Sequence, residues 1–322
     1  MLADERELRI NGRTVSRTPI LLPSFSSKGL RKGELKQYLD FAEALISEEA
    51  LISAYDLYYD EIFSIPTFPS VLFVDSGGYE TSAQADFSEV AKRRHKAKKW
   101  NPGLHATTLS RFPFTSPTVV ISYDHRVPVE RQIAAAKKLL AKYPYAGREI
   151  LIKPNSAKED FVDMNSVGSC AKHLGDFDVI GFTETELGPS TFDRMINIAR
   201  LRRALVENSI GIPIHIFGSL DPISSPLYFL SGADIFDGLT WLRYAFNEGY
   251  TIYKHNYAAL NVSIRERDDR INAQCATNNY YYLMNLKDDM LRYLGSGELS
   301  AFRYHAKFLE LSFESLKQKM GI

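Results

Sequence analysis

The chain has 322 residues, with 39 Lys and Arg set against 39 Asp and Glu, so a polybasic nucleic-acid tail and an acidic solvating chain are both excluded. A content of 45% hydrophobic and 24% charged residues, with 19 glycines and 14 prolines, excludes a disordered or fibrous chain and suits one large α/β domain with a small appendage. The two cysteines, Cys170 and Cys275, are too few for a disulfide framework or a four-cysteine zinc site. With a charged start at Met1–Arg9 and no run of about 18 apolar residues, the expectation is a cytoplasmic protein without a membrane partner.

In chain order, eight short apolar, β-rich runs follow: Pro19–Phe25, Leu51–Leu57, Val71–Asp75, Thr118–Asp124, Glu149–Lys153, Asp178–Thr183, Ile214–Gly218 and Asp234–Leu239. Segments of helical periodicity lie between them, among them Glu34–Ile46, Val129–Lys142 and Thr191–Val206. Parallel strands buried on both faces read as such continuous apolar runs. Eight of them alternating with helices predict an α/β fold of the (β/α)8, or TIM-barrel, type; a doubly wound open sheet is the competing reading.

The strand ends favour the barrel. Asp75-Ser76-Gly77-Gly78, Asp124-His125, Lys153-Pro154-Asn155, Gly218 and Asp237-Gly238 all stand at C-terminal strand ends, which a barrel gathers on the face where active sites form. Beyond Asp237 a tyrosine-rich polar stretch, Tyr250–Asn279, reads as loop-rich, and helices are expected over Tyr282–Leu294 and Leu299–Met320. The expected organisation is a catalytic barrel over residues 1–245, then an appendage over 246–322 whose helices complete the barrel.

Asp75 and Asp237 are the sharpest chemical candidates. Two carboxylates across a barrel mouth can divide nucleophile and acid/base roles. Adjacent glycines at 77 and 78 let the backbone approach a flat ligand, and Tyr79 can stack on it. The plainer alternative is that Asp75 caps a helix and the glycines make a tight turn. Glu184 and Glu186 end the sixth strand and face the mouth, whereas His215 sits in an apolar strand; none offers metal-ligand spacing.

Several segments resemble, in the right order, the tRNA-guanine transglycosylase superfamily. Thr18-Pro19 to Pro23 is similar to its first-strand TPxFMP segment, Val74–Tyr79 to its DSGG(F/Y) signature, and Gly232–Asp237 to its GxDMFD segment; the spacing onward to Arg243 agrees with the arginine of its PTR element. The resemblance implies a TIM barrel that exchanges a guanine in a nucleic acid for a 7-deazaguanine. It makes Asp237 the nucleophile and Asp75 the general acid/base. Tyr79 and Phe217 would sandwich the purine, Asp124 would read its guanine edge, and Ser76, Gly77, Gly78, Gly181, Gly218 and Lys153 would line the base site.

The sequence also departs from the family. Lys153 stands where the family has glutamine, and Phe182 where it has the second glycine of a pair. Of the family's CxCxxC zinc run only Cys275 remains, with Arg270 and Asn272 at the other two positions and His305 as the match to the histidine, so no structural zinc and no other cofactor is expected. The KRRHKAKK run, Lys92–Lys99, lies on the catalytic face of a barrel, where Arg93, Arg94 and Lys96, with Arg243, could neutralise phosphates beside an extruded nucleotide; a solvated helix face is its ordinary reading.

The expected activity is therefore that of a pentosyltransferase exchanging guanine for a base such as 7-cyano-7-deazaguanine, with DNA favoured over tRNA on the strength of these departures. The implied partners are a nucleic acid and a free 7-deazaguanine base, with a duplex-opening helicase or ATPase, or a second subunit, as protein partners. A queuosine-type tRNA enzyme, a non-catalytic nucleic-acid-binding subunit and an unrelated barrel hydrolase are the other readings.

Overall fold

The computed structural model describes residues 2–31, 33–82, 96–114 and 116–322. An antiparallel hairpin, β1 (Glu7–Ile10) and β2 (Arg13–Arg17), precedes eight parallel strands: β3 (Ile20–Phe25), β4 (Glu49–Ser53), β5 (Val71–Asp75), β6 (Thr118–Ile121), β7 (Gly147–Ile152), β8 (Val179–Thr183), β9 (Ile214–Phe217) and β10 (Ile235–Gly238). Neighbours in sequence pair in space, and β10 closes on β3 with Ile235 opposite Ile20 and Asp237 opposite Leu22. The fold is the expected (β/α)8 barrel, not an open sheet. Among the described residues, no helix is long and apolar enough to cross a membrane.

The periodic segments form helices where their apolar spacing predicts them. Helix Val129–Leu140 buries Val129, Ile133, Ala136 and Leu140, while Lys137 and Lys138 stand in its last turn against the negative helix end. Helix Thr191–Glu207 starts where the Ser190 hydroxyl accepts the Asp193 N–H. Some boundaries differ from expectation. The run Leu51–Leu57 leaves the strand at Ser53, whose side chain accepts the Tyr55 N–H and caps a short helix, Ala54–Tyr58.

The larger difference lies after residue 245. Tyr250–Asn279, expected to be loop-rich, instead contains strand β12 (Tyr250–Ile252), paired with β11 (Ala245–Asn247), then helix Lys254–Asn261 and the start of a 29-residue helix, Asp268–Ser296. That helix buries Ile271, Cys275, Asn279, Leu283, Leu286, Met290 and Tyr293, a helical stripe that its tyrosines and asparagines disguise in the sequence. It packs against β3 and so covers the seam where the barrel closes. The expected helix Leu299–Met320 is a 3-10 turn, Leu299–Ala301, and a helix, Ala306–Met320, separated at His305, whose backbone is left-handed at φ 59°.

Two cores result. One lies between the strands and their covering helices. The other fills the barrel interior with Ile20, Leu22, Leu51, Val71, Phe73, Val119, Ile121, Leu151, Val179 and Ile235, and the hairpin adds Leu8 and Ile10 as a plug at the end opposite the C-terminal strand ends. The plug is pinned by Asp234, which pairs with Arg6 at 2.7 Å and with Arg202, all three buried. Gly147 admits it, because a Cβ there would stand 3.0 Å from both Ile10 and Val119. Leu8→Ala is expected to cost about 2 to 5 kcal/mol of stability, read from the urea unfolding midpoint, as for a large core side chain truncated at a site that cannot collapse.

Candidate active site

Strand β5 delivers Asp75 to the barrel mouth at the C-terminal strand ends, and the chain then turns through Ser76 and Gly77 into a single helical turn, Gly78–Thr81. The turn depends on its glycines. Gly77 has φ 86°, and a Cβ there would lie 2.7 Å from the Tyr55 Cβ and 2.9 Å from the Trp100 Nε1; a Cβ at Gly78 would overlap the Asp124 carboxylate. The Ser76 hydroxyl donates to Asp124 and its carbonyl accepts from the Trp100 indole at 2.8 Å. The predicted aspartate, serine and glycines therefore meet Asp124 at one point.

Asp75 itself is buried, and its Oδ2 accepts the Gly77 N–H at 3.1 Å. Burial pushes its carboxyl well above the usual carboxylate range, and the charges of Asp124, Glu80 and Asp237 push the same way. Asp237 ends β10 in a different setting: Oδ2 accepts the Ser24 hydroxyl at 2.7 Å and Oδ1 the Gly218 N–H at 3.0 Å. Trp241 sits behind this arrangement with its indole donating to the Ser24 carbonyl at 3.2 Å.

Lys153 leaves β7 buried. Its ammonium lies 2.7 Å from Glu186, 2.9 Å from the Thr183 hydroxyl and 3.5 Å from Asp124, and Glu186 also pairs with Arg126. Of the two glutamates ending β8, Glu186 thus belongs to the mouth, whereas Glu184 is engaged by Arg194 at 3.0 Å and the Tyr228 hydroxyl at 2.7 Å. A Cβ on Gly181 would run into Phe217 and Glu149, so this glycine makes room for side chains inside the barrel.

The Tyr79 ring is met by the Lys28 ammonium 4.4 Å from its centroid and by the Arg243 guanidinium at 5.5 Å. Arg243 also donates to the Lys28 carbonyl at 3.1 Å, so the arginine, the lysine and the tyrosine form one unit at the mouth. Of the basic run, Arg93 and Arg94 lie outside the described residues. Lys96 is exposed, and the segment after it is tied to the mouth by the Lys98 N–H to Tyr55 hydroxyl bond at 2.8 Å and by the Trp100 bond to Ser76.

Sequence reading passed over three features. Glu80 is buried and takes the hydroxyls of Ser26 and, at 2.8 Å, Ser53. Lys28 joins Tyr79 as described. Glu149 and His215 form a fully buried hydrogen-bonded pair at 2.8 Å inside the barrel. The signal for the pair was present: each is a polar residue in an otherwise apolar strand, Glu149 in Glu149-Ile150-Leu151-Ile152 and His215 in Ile214-His215-Ile216-Phe217, and such residues are retained inside only with partners.

The positions that resemble a zinc site do not fit one. Cys275 lies in an apolar cluster with Ala245, Tyr257, Ala258 and Ile271, and the His305 Nε2 is bonded to the Gly249 carbonyl at 2.9 Å. Asn272 instead accepts the Lys254 ammonium at 2.8 Å, and Arg270 faces Glu266 at 4.0 Å. Among the described residues no group of three or more His, Cys, Asp or Glu could hold a metal ion. The surface cavities bordered by Glu5, Arg17 and Lys287, and by Arg292, Glu298 and Arg303, lie away from the barrel mouth.

No protein-family model matches the chain, and no curated protein matches it at a significant level. The fold and the carboxylate-rich mouth define a (β/α)8-barrel protein whose buried carboxylates and lysine converge on the C-terminal strand ends.

Two measurements check this geometry. Gly78→Ala is expected to destabilise by about 1 to 3 kcal/mol through overpacking against Asp124. In a double-mutant cycle Asp124→Ala should recover much of that loss, whereas strictly additive costs would disprove the contact. The second concerns His215. Burial disfavours its charge, but Glu149 and Asp237 outweigh burial and push the imidazole up to about 9. A raised histidine pKa contributes stability that is complete below the unfolded value of roughly 6.5 and is lost as pH climbs to about 9. The melting temperature is expected to fall across that window, and to fall less in a His215→Phe, Glu149→Leu double variant lacking both charges.

Proposed function

We propose that this protein exchanges a guanine in DNA for a 7-deazaguanine, such as 7-cyano-7-deazaguanine, through a covalent bond between Asp237 and the sugar. The observation that carries the reading is the pairing of Asp75 and Asp237 at one mouth in contrasting environments. Asp75 is buried among carboxylates that favour its protonated form, while each oxygen of Asp237 accepts a hydrogen bond. That division supplies an acid and a nucleophile.

In the first half-reaction an Asp237 oxygen attacks C1′ of the target nucleotide. The C1′–N9 bond breaks, its electron pair leaves with the purine, and the Asp75 carboxyl gives its proton to the departing base. In the second, N9 of the incoming deazaguanine attacks C1′, its proton passes to the Asp75 carboxylate, and the bond to Asp237 breaks. Two inversions leave the sugar configuration unchanged.

Base recognition falls to Asp124, a carboxylate able to accept from the ring N–H and exocyclic amine of guanine, with the Lys153 ammonium beside it as donor to the base carbonyl. Phe217 and Tyr79 offer aromatic faces; stacking on such a face typically contributes about 1 to 3 kcal/mol per base. Arg243 and the exposed Lys96 supply positive charge for the phosphates of an extruded nucleotide. DNA is preferred as the polymer because Lys153, Phe182 and the Gly238–Trp241 stretch all depart from the pattern of the tRNA enzymes.

The test is incorporation of radiolabelled guanine into acid-insoluble polymer, with tRNA, single-stranded DNA and double-stranded DNA offered separately. Label in DNA that disappears in Asp237→Ala supports the reading. Label in tRNA alone would move the protein to queuosine-type modification, and absence of both label and a denaturation-resistant protein–polymer adduct would favour a non-catalytic nucleic-acid-binding subunit. Adduct formation in a single turnover is expected to decline as pH rises through the elevated Asp75 pKa, because base release needs its proton. Asp75→Asn should slow that step by roughly 10²- to 10⁴-fold and flatten its pH dependence.

A further inference from the structure

Beneath Asp237 the barrel interior holds a histidine that the double displacement does not use. His215 is fully buried on β9, directly below the Phe217 and Gly218 that edge the mouth. Its Nδ1 lies 2.8 Å from the Glu149 Oε1 on β7, and its Nε2 faces the Asp237 Oδ1 on β10 at 3.4 Å. The groups around the ring are Glu149, Asp237, the Phe217 ring stacked on it at 3.9 Å between centroids, and the Phe73 ring edge-on at 5.9 Å. The two carboxylates are thus the titratable groups of the strands packed against it.

The geometry is that of an orienting device. The Glu149 contact fixes the ring, and the stacked Phe217 fixes its plane. The Nε2 is left without a hydrogen-bond partner at ordinary bonding distance, its nearest charged neighbour being the nucleophile. A buried donor with no closer partner is costly unless it is used, and catalytic hydrogen bonds often shorten only once substrate is bound. The two oxygens of Asp237 are then unequal. Oδ1 faces the Gly218 N–H and the imidazole, whereas Oδ2 has the neutral Ser24 hydroxyl.

We propose that His215 is a positioning residue for the nucleophile: the Glu149–His215 pair pins Oδ1 of Asp237 and leaves Oδ2 as the oxygen that attacks the sugar. This rests on reading Asp237 as the nucleophile. The same contact serves the second displacement, in which the electron pair of the breaking C1′–Oδ2 bond is shared through the carboxylate with Oδ1, the oxygen that already faces the imidazole. Glu149 in turn holds the ring in its doubly protonated form, since an unpaired carboxylate at that depth would be strongly disfavoured.

The experiment has two arms on the intact protein. In the first, ¹⁵N-histidine labelling follows the imidazole, with the His215 signals assigned by their absence in His215→Gln. Both ring nitrogens are expected to be protonated at pH 7.5, the Nε2 signal to shift in Asp237→Asn, and the ring to titrate at lower pH in Glu149→Gln. A neutral ring at pH 7.5, or an Nε2 signal indifferent to Asp237→Asn, would overturn the proposal whether or not the protein exchanges bases.

In the second arm, His215→Gln is expected to slow single-turnover adduct formation by about tenfold to a hundredfold with KM unchanged, while the His215→Phe, Glu149→Leu double variant, which leaves no buried carboxylate unpaired, loses more. An unchanged rate in folded His215→Gln would also sink it. If the wild-type protein forms no adduct with any polymer, the base-exchange reading fails, and the imidazole signals still decide whether His215 engages Asp237.

Discussion

Closing eight parallel strands into a barrel leaves a dry interior that side chains must fill, and here that interior changes character along its axis. At the hairpin end it is apolar, plugged by Leu8 and Ile10; towards the mouth it becomes charged, with Glu149, His215, Asp237, Asp75 and Lys153 all buried. A charge in such a place needs a partner, and four of these find theirs on a different strand or loop: Glu149 with His215, Asp237 with Ser24 and Gly218, Lys153 with Glu186 and Thr183; Asp75, which accepts only the Gly77 N–H of its own turn, is pushed towards its neutral form instead. The strand register therefore does more than build a scaffold. A shift of one residue in β10 would turn Asp237 towards the helices and leave several of these groups alone.

The glycine turn after β5 shows how packing and chemistry share residues. Read as a turn, Gly77 supplies a left-handed backbone and fits beneath Trp100; read as a ligand site, Gly78 clears the space in which the Asp124 carboxylate sits. One turn does both, because the Asp124 carboxylate approaches the backbone closely while it lies beside Lys153. The carboxylates crowd one another, and the crowding itself raises the Asp75 pKa on top of burial. Nearby cations do not cancel it, since Lys153 is engaged with Glu186, and Lys28 with the Tyr79 ring and with the Tyr79 and Ser82 carbonyls.

The barrel was legible because buried parallel strands announce themselves as apolar runs, and their polar C-terminal residues mark one face. Asp75, Asp124, Lys153, Gly218 and Asp237 were found by that rule alone. Less legible was anything whose meaning depends on a partner distant in sequence. Glu149 and His215 are 66 positions apart and join only through strands β7 to β9, so each looks like an isolated exception in its own strand. The 29-residue helix was obscured for a different reason: its buried stripe includes Asn279 and Tyr280, which an apolar-periodicity reading scores as surface. The hairpin plug carries only a few apolar residues, too few to read as a core element.

Asn279 also explains how the C-terminal segment is fastened. Its side-chain amide donates to the carbonyls of Trp241 at 2.6 Å and Tyr244 at 2.7 Å, and its oxygen accepts the Phe246 N–H at 2.6 Å, so one buried side chain satisfies three backbone groups of the loop after β10. Nearby, the Lys254 ammonium bridges the Leu242 carbonyl and the Asn272 side chain. A protein cation and two side-chain amides thus tie the segment after β10 to the long helix. The loop they hold contains Trp241, whose indole bonds the backbone of Ser24, and the Ser24 hydroxyl bonds Asp237. Through that chain of contacts the fastening of the C-terminal helix helps set the position of the carboxylate at the mouth. Loosening Asn279 is therefore a perturbation of the site as well as of the fold.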